Sequence, residues 1–120
     1  MPTGIAPEFV RFQSNDFVSG NAPYYILRPE TVESFYILNK LTGDPIYREW
    51  GWEVFQSIEK YCRTDIAYGS VHNVNVKDAK PENRMESFFL AETMKYLYLL
   101  MDPDSEVDIL NKVCINCLLV

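Results

Sequence analysis

The sequence predicts a mainly helical fold with one short β-like hairpin, and three observations carry that expectation. Apolar residues recur at helical spacing in three separated stretches. Pro29, Gly43, Pro45 and Pro103 stand at the ends of those stretches, where such residues start or stop helices. Of the 120 residues, 48% are hydrophobic and 14% aromatic, enough apolar surface to build a core.

Residues 1 to 27 read as irregular, punctuated by Gly4, Pro7, Gly20 and Pro23. Within them, Gly4-Ile5-Ala6-Pro7-Glu8 sets a carboxylate just after a rigid turn. The first helix is expected from Arg28-Pro29-Glu30, because a proline lacks the N–H that a first helical turn leaves unpaired anyway. Val32, Phe35, Tyr36 and Leu38 or Asn39 give its stripe, and Gly43 closes it. Asp44 then caps a second helix with Pro45 at its first position. Tyr47, Trp50, Val54, Ile58 and Tyr61 make the second stripe, and so short a link implies an antiparallel helical hairpin. Between about 67 and 76 the pattern changes. Tyr68, Val71, Val74 and Val76, interleaved with Gly69, Asn73 and Asn75, predict the short β-like hairpin there. Lys80-Pro81-Glu82-Asn83 reads as a loop. A third helix is expected from about Arg84 or Met85 to Met101, with Phe89, Tyr96, Leu97 and Leu100 on its apolar side. Phe88 and Glu92 lie four apart on another face. The tail from Glu106 to Val120 shows no clear period.

Composition and charge narrow the partners. No run approaches the roughly 20 apolar residues that a bilayer crossing needs. The start, Met1-Pro2-Thr3-Gly4, has neither the basic residues nor the apolar stretch of a signal peptide. A net charge of -6 argues against a general nucleic-acid binder. Sugars, cations and protein surfaces remain.

Soft ligands are few. Cys62, Cys114 and Cys117 are odd in number, so they form no closed disulfide framework. Cys114-Ile115-Asn116-Cys117 has a redox or half-zinc spacing, and a zinc site would have to recruit Cys62 and His72 from far along the chain. Metal analysis of the purified chain tests that reading. The final Cys117-Leu118-Leu119-Val120 matches a prenylation box only in outline, with an acidic rather than polybasic stretch upstream.

Carboxylates offer more. Glu30 and Glu33 share a helix face in the first turn, with Arg28 two residues earlier. The simplest account is that acids near a helix start complement its dipole. The functional account is that two carboxylates and an arginine line a polar cleft, one acid activating water. Glu86 and Glu92 flank a Phe-Phe-Leu run. An aromatic platform beside hydrogen-bond-accepting carboxylates suits a sugar, although a solvated helix face is the plain alternative.

Three segments carry a resemblance that goes further. They are the run from Tyr25 to Ser34 with Arg28-Pro29-Glu30-Thr31-Val32-Glu33 at its centre, then Trp50-Gly51-Trp52-Glu53, and then Met85-Glu86-Ser87-Phe88 continuing to Leu100. Together with Gly4-Ile5-Ala6-Pro7-Glu8, in this order over nearly the whole chain, they resemble the C-terminal part of the class I α-1,2-mannosidases, glycoside hydrolase family 47. The processing enzymes fit better than the degradation-enhancing relatives. The resemblance implies that residues 1–120 are an incomplete segment, the last few helices of an (α/α)₇ barrel. It also implies inverting, calcium-dependent removal of terminal α-1,2-linked mannose from high-mannose N-glycans on glycoproteins, in the endoplasmic reticulum or Golgi membrane system. By the same resemblance Glu30 is the catalytic base and Arg28 the arginine beside it. Glu8, Glu33, Phe88 and Glu92 line the sugar subsite or hold water around the calcium, with Phe88 as stacking platform. Inversion needs carboxyl groups roughly 6.5–9.5 Å apart to admit the water. The helices carrying the general acid would precede this stretch. The isolated chain is therefore expected to be inactive, with barrel flanks such as those carrying Trp50 and Phe89 exposed. A non-catalytic helical module binding glycan or a partner protein is the alternative.

The sequence departs from the family at the calcium motif, Asn-Thr-Glu-Ala-His-Pro. Residues 110–118 align with it and keep Asn116, but Cys117 takes the place of the calcium-binding threonine and Leu118 that of the glutamate. Calcium is a hard ion that takes oxygen ligands, so a thiol and an isobutyl group weaken the centre. Cys117→Thr combined with Leu118→Glu, in the chain completed by the preceding barrel helices, is expected to bind calcium far more tightly than the unaltered sequence. Titration calorimetry checks this, and equal tight binding in both would refute it.

Overall fold

Side chains at the chain's corners decide where its first helices end. The protein is described here by a computed structural model that covers residues 1–13, 16–18, 20–78 and 80–110. Helix α1 spans Glu30–Thr42 and helix α2 Ile46–Cys62. Gly43 adopts φ 72° and its N–H donates to the Asn39 carbonyl at 2.8 Å, a left-handed C-cap that glycine takes without a Cβ penalty. Asn39 Nδ2 donates to the Asp44 carbonyl at 2.8 Å, and the Ile46 N–H donates to Asp44 Oδ1 at 2.9 Å. One aspartate thus helps to close α1 and caps α2, as its position before Pro45 predicted.

The rest of the chain departs from expectation in two places. An antiparallel hairpin does form, but it joins β1 (Arg11–Gln13) to β2 (Asp16–Val18), inside the stretch that reads as irregular. The predicted β-like hairpin near residues 67–76 is replaced by isolated bridges, Arg63 with Tyr68 and Val71 with both Tyr25 and Pro81. Val71 pairs with two different segments, and the valine alternation there reflects burial of Val71 and Val74 rather than a local ladder. The third helix also starts later than its pattern suggests. Residues 84–86 are not helical, and a π-helical turn over Phe89–Met94 leads into α3, Lys95–Met101.

The described residues divide into two compact units. The first comprises Met1–Arg28 and Glu53–Glu86. Its core holds Ile5, Leu27, Ile58, Cys62, Val71 and Val74. Thr3 Oγ1 donates to the Val74 carbonyl at 2.7 Å, and Tyr25 and Val71 exchange backbone hydrogen bonds of 2.8 Å each. The Glu82 N–H donates to Ser70 at 2.8 Å and the Gly69 N–H to Cys62 at 2.7 Å, which brings two backbones together at Gly69. The second unit comprises Pro29–Trp52 and Ser87–Val120. Here α1 and α3 pack through Val32, Tyr36, Tyr96, Leu97 and Leu100, all buried. Phe35, Tyr47 and Trp50 form an aromatic cluster, the Tyr47 and Trp50 rings edge to face at 5.6 Å. Trp50 is 43% exposed. Phe89 is not exposed: it is fully buried, because the π-helical turn carries it on the same inward side as Thr93.

The backbone approach at Gly69 gives a direct stability test. A Cβ there would overlap the Glu82 carbonyl oxygen, whereas a Cβ at Gly43 would meet nothing and suffer only its positive φ. Gly69→Ala is expected to cost about 2 kcal/mol or more through backbone displacement. Gly43→Ala should cost about 1 kcal/mol through left-handed strain. Urea unfolding of the two variants checks the order, and a Gly69→Ala chain as stable as the parent would contradict it.

Candidate active site

Arg28 and Glu30 are two residues apart, and the chain between the first strands and α1 is held by an unusual backbone. Leu27 has φ 69° and is fully buried, a conformation that bulky residues rarely adopt. Such a residue costs on the order of 1–3 kcal/mol and persists only where its surroundings over-determine it. They do so here. Glu8 takes the Arg28 guanidinium on Oε2 at 2.5 Å and the Ile26 N–H on Oε1 at 3.4 Å, while Tyr25 Oη donates to the Arg28 carbonyl at 3.2 Å. The carboxylate after the Gly4-to-Pro7 turn is thus a clamp on both sides of the strained residue. The Glu8 side chain is largely covered and that of Arg28 is about half exposed.

In the second unit the predicted site residues stand on α1 and the π-helical turn. Glu30 opens α1 and is exposed, and Glu33 is half-buried in the same first turn. Pro29 gives this end of the helix no side-chain cap, and the two acids lie in its first turn, at the positive end of the dipole. Phe88 precedes the π-helical turn and is half-buried, as is Glu92 within it. Tyr96 brings these elements together. Its hydroxyl donates to Glu33 Oε1 at 2.9 Å across 63 residues of sequence. Burial pushes the Tyr96 phenol well above its ordinary pKa, and the Glu33 hydrogen bond and then the Glu33 and Glu92 charges add to the rise. A phenol that stays protonated is a permanent donor, which suits it to hold a carboxylate. Beside it, the Tyr36 ring lies 5.9 Å from that of Tyr96. The buried Tyr36 hydroxyl finds no hydrogen-bond geometry among the described residues. Burial raises its pKa, the Ile109 backbone opposes the rise and Asp108 adds to it.

Sequence reasoning placed Tyr96 on the apolar stripe, where its ring belongs, and missed the reach of its hydroxyl. No spacing rule signals a contact made across two elements. Glu86 is held by Arg84 at 2.7 Å in the first unit. Cys117, expected at the calcium position, lies outside the described residues, as do Cys114 and Leu118. Among the described residues no three or more histidine, cysteine, aspartate or glutamate side chains gather as metal ligands.

Comparison with known proteins agrees with the resemblance. The profile of glycosyl hydrolase family 47 matches residues 1–117. The chain is 47% identical over 109 residues to the mannosyl-oligosaccharide alpha-1,2-mannosidase IA of Drosophila melanogaster, covering 87% of this chain and 16% of that protein. It is 42% identical over 116 residues to the endoplasmic reticulum mannosyl-oligosaccharide 1,2-alpha-mannosidase of Rattus norvegicus, covering 89% and 18%. The solved alpha-1,2-mannosidase from Trichoderma reesei superposes with a TM-score of 0.68 at 42% identity, over 74% of this chain and 18% of that one. These matches define a glycosidase class. The chain belongs to glycosyl hydrolase family 47, and it spans under a fifth of the length of these relatives.

Cys62 bears on the redox and zinc readings. It is buried, and burial alone pushes its thiol up to about 12, far from the thiolate that metals and disulfides need. His72, the other recruit, is exposed and lies 3.5 Å from Glu82. Cys62 is expected to react with iodoacetamide at pH 8 at least about 100-fold more slowly in the folded chain than in urea. Mass-spectrometric counting of alkylated Cys62 over time checks it, and equal rates would restore a reactive thiol.

Proposed function

We propose that the chain forms the last helices of an (α/α)₇ barrel in an α-1,2-mannosidase that removes terminal α-1,2-linked mannose from high-mannose N-glycans. The observation that carries this reading is the Tyr96 hydroxyl on Glu33, in the same helical turn as the exposed Glu30. One acid is restrained and the other open to water. Glu30 takes the proton from a water molecule as that water attacks the anomeric carbon, and the leaving oxygen is protonated by an acid outside these residues. Glu33 and Glu92 accept hydrogen bonds from sugar hydroxyls or from water, and the half-buried Phe88 ring gives the sugar an apolar face to rest on. In the first unit Arg28 is oriented by Glu8, which fixes its positive charge. Calcium belongs to this reading, with Glu33 and Glu92 holding its water shell, and when bound it would supply positive charge beside the sugar hydroxyls. A secretory-pathway location goes with it, since one relative is named for the endoplasmic reticulum. No helix among the described residues is long and apolar enough to cross a membrane.

The test replaces the matching segment of the Drosophila enzyme with this chain and measures mannose release from a high-mannose glycan. Glu30→Gln in that chimera is expected to lower turnover by about 10²–10⁴-fold while glycan binding survives. Unchanged turnover would reduce Glu30 to an acid that merely complements the helix dipole.

A further inference from the structure

The geometry points to Tyr96 as the positioning residue of this site, the group that fixes Glu33 in one rotamer so that its second oxygen faces the substrate. The inference rests on the mannosidase reading above and adds a residue to it. A glutamate in the first turn of a helix has three soft torsions, and a half-buried one facing a ligand loses precision unless something holds it. Tyr96 has only two torsions, and both are restrained. Its ring is buried at 2% exposure, lies against Tyr36, and has the Lys95 ammonium 4.5 Å from its centroid. A phenol has one proton to give, and here it goes to Glu33 Oε1. Two lone pairs on Oε2 then remain for a sugar hydroxyl or a water molecule.

The π-helical turn explains why one tyrosine can serve this purpose. A turn bonded i to i+5 takes in an extra residue, so the chain before it is rotated relative to the helix after it. Phe88 precedes the turn, Glu92 lies within it, and Tyr96, beyond it, reaches α1 through its bond to Glu33. Glu92 is near enough for its charge to act on the Tyr96 phenol. The hydroxyl thus gives its single proton to Glu33 on α1, and the Glu92 charge bears on the same phenol. Tyr98, two residues on, supplies the contrast: it is exposed, and its hydroxyl bonds Asp102 of its own helix end at 3.1 Å.

The experiment uses the chimera described above. Tyr96→Phe removes only the hydroxyl and is expected to lower kcat about tenfold or more, with KM within about twofold, while Tyr98→Phe leaves both unchanged. A kcat that survives Tyr96→Phe while Glu30→Gln abolishes turnover overturns the positioning role and leaves the mannosidase reading intact. A rise in KM alone also overturns it, since Tyr96 would then serve sugar binding. If neither substitution matters, the mannosidase reading itself fails. A second measurement holds even for an inactive chimera. Thermal midpoints of Tyr96→Phe, Glu33→Gln and the double variant of the 120-residue chain should be non-additive, the hydroxyl mattering only when Glu33 is present. Strictly additive shifts would mean that the hydrogen bond does not exist, and would overturn the inference.

Discussion

Tyr96 must be buried as a ring and satisfied as a hydroxyl, and the second unit is arranged around that requirement. Its ring fills the space between α1 and α3 with Val32, Tyr36, Leu97 and Leu100. A buried hydroxyl without a partner costs roughly 1–3 kcal/mol, so the ring's position is stable only if an acceptor lies at its end. Glu33 is that acceptor. Packing and polarity therefore fix each other: the helices cannot shift without breaking the bond, and the carboxylate cannot turn away without stranding a phenol. The neighbouring Tyr36 shows the other outcome, with a buried hydroxyl unpaired among the described residues.

The first unit meets a different constraint by similar means. The Leu27 backbone is held in a left-handed conformation by polar contacts on both flanks, among them those of Glu8 and Tyr25. A buried leucine side chain adds an anchor that glycine would lack. Backbone strain is thereby kept next to the segment that carries Arg28 and leads into Glu30. The same carboxylate that steadies the backbone also orients the guanidinium, so one residue near the chain's start serves two positions some twenty residues later. In the same unit, Glu59 accepts from both Tyr68 and Arg63, a surface version of the same economy that contributes little by itself.

Local signals were legible wherever the physics is local. Gly43, Asp44 and Pro45 marked the junction of α1 and α2 because left-handed caps and aspartate caps act within three residues. The stripe of Phe89, Tyr96, Leu97 and Leu100 named a buried face correctly. The valines near residue 71 misled, since alternation reports burial of alternate side chains and says nothing about which backbone supplies the hydrogen bonds. Val71 exchanges those bonds with Tyr25, far off in the chain, and sits opposite Pro81 through the bond from the Glu82 N–H to Ser70. The β1–β2 hairpin was hidden for the converse reason: its strands are three residues each, too short to show a period.

The sequence by itself determined the family, the junction of α1 and α2 and the candidate carboxylates, because these depend on residue type and short spacing. Only the tertiary structure decided how those carboxylates are held. The Tyr96 bond to Glu33 spans 63 positions and the Glu8 clamp on Arg28 spans 20. Neither leaves a trace in periodicity, because a hydroxyl's partner depends on where two backbones meet and not on what stands beside it in the chain. The π-helical turn belongs with them. Residues 89–94 read as ordinary helix, since their apolar spacing fits, and only the tertiary structure shows the wider turn.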